Sequence, residues 1–449
     1  MPDSLSPNTT FKRVLSLWTL VLFGLAFVGP TAPFTFFGIG SVKSHGHFTL
    51  VYLIAMLAVS FTALSYGRMA AAFPEAGSIY SYAAHGIHPL AGFFSGWIVM
   101  LDYVLLPLLS VIIIAASLNS VIPALPYSVY VLLCAALMTG VNLSGMKTTA
   151  LATLIFNLVL AAAILWFVVA ALKWLYLRPL PVPSDYFIPF FNARTFQLTA
   201  VMAATPIAVL SFLGFDGIST LAEDTKDPAR NIGRATLLVC LIAGLIFVLL
   251  TWLGQLIWPD YRTLTNLETA FAQIGRLIGG SHLYYVIAAL VVAQAWASGI
   301  TSQASSSRLL YAMGRDGRLP PRFFGYLHPV RSTPTYTLLL LGALACVGAL
   351  LINLDQAAQL VNFGACIAFM MVNVSVFAHY YLQRGERSGI HVWLNLIAPL
   401  IGFLICFYIW LSISKLAMLV GFAWSIVGAL YCRYGSQNLS PGEQLAVKG

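Results

Sequence analysis

Two aspartates stand inside apolar stretches that are long enough to cross a lipid bilayer. Asp102 lies in the run GWIVMLDY at residues 96–103, and Asp216 lies in SFLGFDG at residues 211–217. An ionised carboxylate at the centre of a bilayer costs at least about 2.5 kcal/mol. No Lys or Arg lies deep inside any of the apolar stretches. The missing positive charge is therefore expected to arrive with a substrate.

The pair of acids favours a substrate with two positive ends. An alkyl diamine carries an ammonium group at each end, and its methylene groups pack well on aromatic rings, which also attract cations. Two other roles stay open for each acid. Either carboxyl group could carry a proton, or it could cap the backbone amides of a broken helix.

Two stretches contain residues that interrupt a helix at membrane depth. The first runs from Gly29 to Pro33, where two prolines each remove a backbone donor and clash with the preceding turn. In the second, two glycines bracket Asp216 and favour unwinding. Unwound backbone is tolerated at this depth only inside protein or beside a watery cavity. We therefore predict a binding site between the two breaks, with a simple proline kink as the alternative for the first.

The predicted substrate-binding residues come from both breaks and from the third and eighth apolar stretches. They are Asp216, Asp102, Gly29, Thr31, Phe212, Gly214, Phe215, Tyr103 and Ser302. No catalytic residue is predicted.

Hydroxyl side chains recur every three or four residues in the eighth apolar stretch. Ser298, Ser302 and Ser305 share one helical face, and such a face allows helices to approach closely. Alternatively, Ser302 and Ser305 ligate Na⁺ together with carbonyl groups freed in the first stretch, because hard cations prefer oxygen ligands. The coupling ion, H⁺ or Na⁺, stays open at this point, and no organic cofactor is expected.

No arrangement of residues points to an enzyme. The eight histidines lie in loops or near the ends of apolar stretches, without the spacing of metal ligands. A Ser-Lys or Ser-His pair for covalent chemistry lacks its base at membrane depth. The six cysteines lie in or beside apolar runs without paired loop spacing, so we expect neither a disulfide nor a bound metal.

The composition of the chain indicates an integral membrane protein. Of its 449 residues, 60% are hydrophobic and only 8% are charged, and the mean hydropathy is +0.88. About twelve apolar stretches reach the length of about 20 residues that a membrane helix needs. Because the other residues are spread over short loops and tails, no sizeable extramembrane domain is expected. Soluble enzymes and nucleic-acid-binding proteins are therefore excluded.

We predict one all-α transmembrane domain with twelve helices. The predicted spans are residues 15–40, 48–73, 90–118, 126–144, 148–172, 198–221, 234–257, 282–312, 334–353, 357–381, 391–413 and 416–434. Breaks in the first and sixth spans are typical of transporters built from inverted repeats. The first repeat then covers residues 15–172 and the second residues 198–381, joined by a proline-rich loop at 173–194. The helices at 391–434 are additional.

The positions of Lys and Arg predict how the chain is oriented. If the N-terminus is cytoplasmic, sixteen of the 23 basic residues lie inside. The seven outside are Lys43, Lys173, Arg178, Arg194, Arg262, Arg276 and Lys415. This bias predicts that both termini are cytoplasmic and that the number of spans is even. The first apolar stretch lacks the cleavage site of a signal peptide, so we expect it to remain as a membrane helix.

Several polar motifs accompany the apolar stretches. GFDG at residues 214–217 is followed by AEDTKDPARN at 222–231, while FPEAGS, LDY and SRLLYAMGRDG occupy 73–78, 101–103 and 307–317. These motifs resemble those of the amino acid/polyamine/organocation (APC) superfamily of transporters, and within it the bacterial putrescine importers. The resemblance extends over nearly the whole chain.

The resemblance implies a twelve-helix fold of five-plus-five inverted repeats that works by alternating access. It also implies that the broken spans one and six hold the substrate together with spans three, eight and ten. Asp216 falls where polyamine transporters of the superfamily use an acid to meet the amine.

The sequence departs from the superfamily pattern at two places. Amino acid permeases commonly have a Gly-Ser-Gly-like run in span one, whose amides bind the substrate carboxylate. Here Pro30 and Pro33 supply no amide, which disfavours a substrate that bears a carboxylate. Some proton-coupled members place a lysine in span five, and the corresponding residues 156–160 contain none.

The leading hypothesis is a secondary transporter of the inner (plasma) membrane that imports a small cationic amine. Putrescine is the first candidate substrate. An amino acid permease of the same superfamily is the alternative. A channel, or a receptor that senses amines without moving them, belongs to a different class. The expected partners are the small-molecule substrate and the lipid bilayer, without nucleic acid, and the expected state is a monomer or a weak homo-oligomer.

Overall fold

The computed structural model describes residues 13–121, 124–264, 266, 267 and 269–435. Over these ranges the regular structure is helical, and the one β-type pairing is an isolated bridge between Leu15 and Thr225. Lys12 and Lys448, which contribute to the predicted orientation, lie outside the described residues.

The helices follow one another with short connections. The α-helices are α1 Leu17–Val28, α2 Ala32–Lys43, α3 Phe48–Ala72, α4 Ile79–Gly86, α5 Pro89–Val121, α6 Tyr127–Leu143, α7 Met146–Leu177, α8 Leu198–Leu210, α9 Pro228–Ile257, α10 Ala270–Arg315, α11 Pro321–Phe324, α12 Thr335–Leu351, α13 Leu354–Val376, α14 Ile390–Val392, α15 Ala398–Leu411 and α16 Lys415–Gly435. Three 3₁₀ segments cover Pro183–Phe187, Phe215–Asp224 and Tyr261–Thr263, and two π-helical segments cover Phe377–Gln383 and Trp393–Ile397.

The lengths of these helices match a multi-pass membrane protein. Within the described ranges, nine helical segments are long and apolar enough to cross a bilayer, and α1 with α2 makes one further, broken span. The shorter apolar helices α6 and α12 have 17 residues each. That length corresponds to about 26 Å, slightly less than the roughly 30 Å of a hydrocarbon core. The count of twelve spans and the inverted repeats therefore remain predictions.

The interruption predicted in the first span is present. Helix α1 ends at Val28, α2 begins at Ala32, and the two axes differ by 47°. Gly29 adopts a φ of 86° and donates its backbone N–H to the Leu25 carbonyl over 2.9 Å, which caps α1. Pro33 lies in the first turn of α2, where a missing amide hydrogen costs little.

The predicted sixth span also changes its backbone at the expected place. Helix α8 ends at Leu210, and the chain turns through Gly214, whose φ of 104° suits only a residue without a side chain. The 3₁₀ segment Phe215–Asp224 follows. It carries Asp216 in its first turn.

Some predicted boundaries were wrong. Helix α7 continues to Leu177, so the loop to the sixth span begins at Arg178 and not at residue 173. Helix α10 consists of two helical parts that meet at a kink at Gly280, whose φ of 70° is not helical. The predicted start of the eighth span at residue 282 agrees with the second part, whereas the first part, from Ala270, was not predicted. The helical part before this kink contains polar residues, and hydropathy therefore did not reveal it. Helix α4 was not predicted either, because it is only eight residues long.

The segment before α1 is joined to the end of the 3₁₀ segment. The backbone amides of Val14 and Leu15 donate to the Asp224 carbonyl over 2.8 and 3.0 Å, and the amide of Lys226 donates to the Leu15 carbonyl over 2.9 Å. We call this pairing the N-terminal clasp. It links the two interrupted parts of the chain by backbone hydrogen bonds.

Candidate functional site

The 3₁₀ segment places the Asp216 carboxylate inside the protein. Asp216 is fully buried, and Gly214 and Gly217 on either side of it have the Phe27 ring in the space that a side chain would fill. This close contact between α1 and the 3₁₀ segment requires both glycines. Asp216 lies in the first turn of the 3₁₀ segment. The free backbone amides at the N-terminus of a helix stabilise a negative charge there.

Asp102 and Tyr103 reach the same region from α5. Both residues are fully buried, and the Tyr103 hydroxyl donates a hydrogen bond to Oδ2 of Asp216 over 2.7 Å. Asp102 lies within electrostatic range of Asp216. We refer to Asp102 and Asp216 as the acidic pair. The structure thus brings together three of the residues predicted to bind substrate.

A glycine on α13 allows the helix to pack directly on the backbone at Asp102. A Cβ atom added to Gly364 would lie 2.9 Å from the Asp102 nitrogen and 2.9 Å from the Ile98 oxygen. No larger side chain fits without separating α13 from α5. The position of Asp102 therefore depends on this contact.

Several polar atoms around the acidic pair have no hydrogen-bond partner among the described residues. They are both carboxylate oxygens of Asp102, Oδ1 of Asp216 and the hydroxyl of Tyr66. All three side chains are fully buried, and Tyr66 lies within electrostatic range of both acids. Buried polar groups are normally paired, so these four unpaired atoms make the region a candidate position for a polar or charged ligand.

Aromatic rings form one wall of this region. The Phe215 ring lies 5.8 Å from the Tyr66 ring and 5.0 Å from the Phe369 ring, measured between centroids. The rings of Tyr66 and Phe369 are 6.2 Å apart. Tyr66 and Phe369 were not predicted from the sequence, because they are two among 49 Phe and Tyr residues in apolar surroundings.

The polar face of α10 satisfies backbone groups that the two breaks release. Ser298 donates to the Phe27 carbonyl over 3.1 Å, and Gln294 donates to the Ala26 carbonyl over 2.9 Å. Ser305 donates to the Gly217 carbonyl over 3.2 Å. This face therefore holds both interrupted segments. Gln294 was missed because a single amide in an apolar stretch carried no spacing signal.

The other predicted residues occupy different positions. Ser302 donates to the Gly299 carbonyl of its own helix over 3.1 Å. Gly29 packs on the side chain of Gln294, and Thr31 is buried at the start of α2. Phe212 packs on Phe247 with 5.1 Å between ring centroids. These residues support the breaks, while the acidic pair and its neighbours form the polar centre.

One basic side chain is buried, and it pairs with a different acid. Arg308 donates from Nε to Oδ2 of Asp224 over 2.6 Å, with both side chains less than 5% exposed. Among the described residues Arg308 is the only Lys or Arg that is fully buried. Arg308 falls within the predicted eighth span, so its burial differs from the expectation that no Lys or Arg lies deep inside an apolar stretch. The acidic pair itself gains no basic partner from Arg308.

A buried acidic centre between two interrupted helices defines a class of protein. Irregular backbone inside a bundle of membrane helices places binding groups where a substrate can be enclosed. The arrangement is that of a membrane transporter.

Comparison with known proteins identifies the family. The model of the amino acid permease family matches residues 21–446. The chain is 34% identical over 440 residues, 96% of each chain, to the low-affinity putrescine importer PlaP of Escherichia coli (strain K12). It is 23% identical to the branched-chain amino acid permease BcaP of Bacillus subtilis (strain 168), over 96% of this chain and 95% of BcaP. The protein therefore belongs to the amino acid permease family, and it is a transporter and not an enzyme.

Proposed function

We propose that the protein imports a small cationic amine, with putrescine as the first candidate, and that Asp216 and Asp102 bind its ammonium groups. The observation that carries the proposal is the group of three carboxylate oxygens that are buried without a partner among the described residues. Burying an ionised carboxylate without a counter-charge costs several kcal/mol. A substrate that brings one ammonium group to each acid removes that cost.

The backbone of the first break supports a substrate without a carboxylate. Two of its residues are prolines, and the amides of Gly29, Ala32 and Phe34 already donate to backbone carbonyls over 2.9 to 3.0 Å. Among the described hydrogen bonds of residues 29–34, this leaves the amide of Thr31 without an acceptor. One amide is a weak site for a carboxylate, which usually needs two or three donors.

The aromatic wall supports a substrate with an apolar middle. Phe215, Phe369 and Tyr66 surround the same region as the acidic pair. Their faces can pack on a short methylene chain and attract the cationic ends. The similarity to the putrescine importer PlaP points to the same chemistry.

Two mechanisms of ion coupling are proposed as alternatives. In the first, Asp216 carries the coupled proton. In the second, Na⁺ binds to the hydroxyl oxygens of Ser302 and Ser305, which donate their hydrogens to carbonyl groups and keep lone pairs for a cation. Transport proceeds by alternating access in a twelve-helix fold of inverted repeats, in the inner membrane and with both termini in the cytoplasm.

An amino acid permease is the second candidate function. The similarity to BcaP over nearly the full length of both chains favours it. In that case the Thr31 amide and one acid would meet the two charges of a zwitterion.

Uptake of radiolabelled putrescine into proteoliposomes that contain the full chain tests the proposal. The assay is run with and without Na⁺ at two pH values, and unlabelled diamines, monoamines and neutral amino acids serve as competitors. We expect uptake, competition by diamines and stimulation by putrescine on the opposite side of the membrane. If no amine is transported while a neutral amino acid is, the amine proposal is wrong. Flux without such stimulation would indicate a channel.

A further inference from the structure

A second group of polar side chains leads away from the acidic pair toward the loop between α3 and α4. The hydroxyl of Tyr66 on α3 and that of Tyr82 on α4 are both fully buried, and neither has a hydrogen-bond partner among the described residues. Their rings pack edge to face with 6.1 Å between centroids. We call these two residues the tyrosine pair.

The tyrosine pair connects the acidic pair to a third carboxylate. Tyr66 lies within electrostatic range of Asp216 and Asp102, and Tyr82 lies within electrostatic range of Glu75. Glu75 is partly exposed in the loop that joins α3 to α4. Tyr66 therefore neighbours the two buried acids, and Tyr82, which packs on Tyr66, neighbours a partly exposed one.

Two other buried tyrosines on α3 and α4 do have hydrogen-bond partners. Tyr52 lies on the same helix and is equally buried, but its hydroxyl bonds to that of Ser211 over 2.9 Å. Tyr80, two residues before Tyr82, donates to Oδ2 of Asp316 over 2.9 Å. Tyr52 and Tyr80 thus have hydrogen-bond partners at 2.9 Å. Among the described residues the hydroxyl of Tyr66 has none, and that of Tyr82 meets only the hydroxyl of Ser219, which itself donates to the Asp216 carbonyl over 2.6 Å.

The chemistry of the pair suits a cation and not an anion. Burial raises the pKa of Tyr82, so its hydroxyl stays neutral and can accept a hydrogen bond from an ammonium group. Both ring faces attract positive charge. Carboxylates at the two ends repel an anion from the same path.

We propose that Tyr66 and Tyr82, together with Glu75, form a second amine-binding site through which the substrate passes between the acidic pair and the side of the membrane on which the α3–α4 loop lies. The proposal rests on the proposed function, in which the cargo is a cationic amine and this loop is cytoplasmic. The acidic pair serves as the central site. The tyrosine pair serves the cytoplasmic side.

Side-specific kinetics test the second site. Putrescine uptake is measured in right-side-out and inside-out membrane vesicles for the wild-type chain, Tyr82→Phe, and Tyr66→Phe combined with Tyr82→Phe. Phenylalanine keeps the ring and removes only the hydroxyl. Because a hydrogen bond to a charged group is lost, we expect KM on the cytoplasmic side to rise about tenfold or more. KM on the outside should change less than about twofold in Tyr82→Phe.

Tyr52→Phe is the matched control, since it removes a buried hydroxyl from the same helix outside this path. It should leave KM on both sides close to the wild-type value. Equal changes in KM on the two sides in Tyr82→Phe, or an unchanged cytoplasmic KM in the double variant, would overturn the second site while leaving amine transport intact. The single variant is decisive, because Tyr66 also lies beside the acidic pair. If the wild-type chain transports no amine, the proposed function is wrong as well. The assay therefore distinguishes failure of the second site from failure of the proposed function.

Discussion

The hydroxyl of Tyr103 on α5 donates a hydrogen bond to Oδ2 of Asp216 on the 3₁₀ segment across 2.7 Å. This bond joins two parts of the chain that both carry an acid of the acidic pair. It occupies one oxygen of Asp216 and leaves Oδ1 without a partner among the described residues. The carboxylate is therefore held in place and still able to bind a cation.

Neutralising Asp216 should abolish amine uptake. The Asp216→Asn variant keeps the size of the side chain but removes the charge that pairs with the ammonium group. Losing one partner of a buried charge pair costs about 2 to 5 kcal/mol, which corresponds to at least about thirtyfold in affinity. The variant is assayed for putrescine uptake, with Asp260→Asn, at an exposed loop position, as the control. Near-normal uptake by Asp216→Asn would remove this residue from the mechanism.

The Asp102→Asn variant should lose more affinity for diamines than for monoamines. If Asp102 meets the far ammonium group of a diamine, a monoamine such as butylamine makes no use of it. Competition by butylamine and by putrescine is compared in the variant and the wild-type chain. Equal losses for both amines would indicate that Asp102 has a structural or proton-handling role.

The sequence predicted the parts of the site that depend on residue type, and missed those that depend on packing. Prolines near residue 30 and glycines beside Asp216 determine local backbone, so both breaks were recognisable. The acids stood out because charge is rare in apolar sequence. Tyr66 and Gln294 could not be recognised, because a membrane helix is apolar on all sides and its pattern does not tell which face meets the centre. Only the packing of α3 and α10 around the breaks identifies them.

Gly364→Ala should separate α13 from α5 and disturb Asp102. The added Cβ atom would lie 2.9 Å from two backbone atoms of α5, and overpacking of this kind costs about 1 to 3 kcal/mol. We expect a lower melting temperature in detergent and reduced putrescine uptake. Gly140→Ala on α6 is the control, because its Cβ atom meets nothing within 4 Å. If both variants have the wild-type melting temperature, the contact does not constrain α13.

Removing one member of the Arg308–Asp224 pair should destabilise the protein strongly. Arg308→Met leaves the Asp224 carboxylate buried without its counter-charge, which typically costs about 3 to 5 kcal/mol. The melting temperature of the purified variant measures the effect. Replacing both residues, as Arg308→Met with Asp224→Leu, should recover part of the loss. A double variant no more stable than the single one would show that the ion pair itself is not what Arg308 provides.

Acidification should destabilise the protein through His47, which lies between α2 and α3. Its Nε2 accepts the Asn192 amide over 3.1 Å, and burial lowers its pKa below 6.5. The unfolded chain therefore binds a proton near pH 6.5 while the folded chain does not, so the free energy of unfolding decreases as the pH falls from 6.5 toward the lower folded pKa. Each unit of lowering corresponds to about 1.4 kcal/mol.

Melting temperatures at pH 7 and pH 5 measure this effect. The difference should be smaller in His47→Gln than in the wild-type chain. His282→Gln, at an exposed position, should keep the wild-type difference. An unchanged pH dependence in His47→Gln would assign the effect to other groups.

The N-terminal clasp has a mechanical consequence. Its three backbone hydrogen bonds join the residues just before α1 to the C-terminal end of the 3₁₀ segment. Neither element can therefore tilt at this end without the other. Either α1 and the 3₁₀ segment move together, or these hydrogen bonds must break before the region around the tyrosine pair can open. A spectroscopic label near Val14 would consequently report on the movement of a segment more than 200 residues further along the chain.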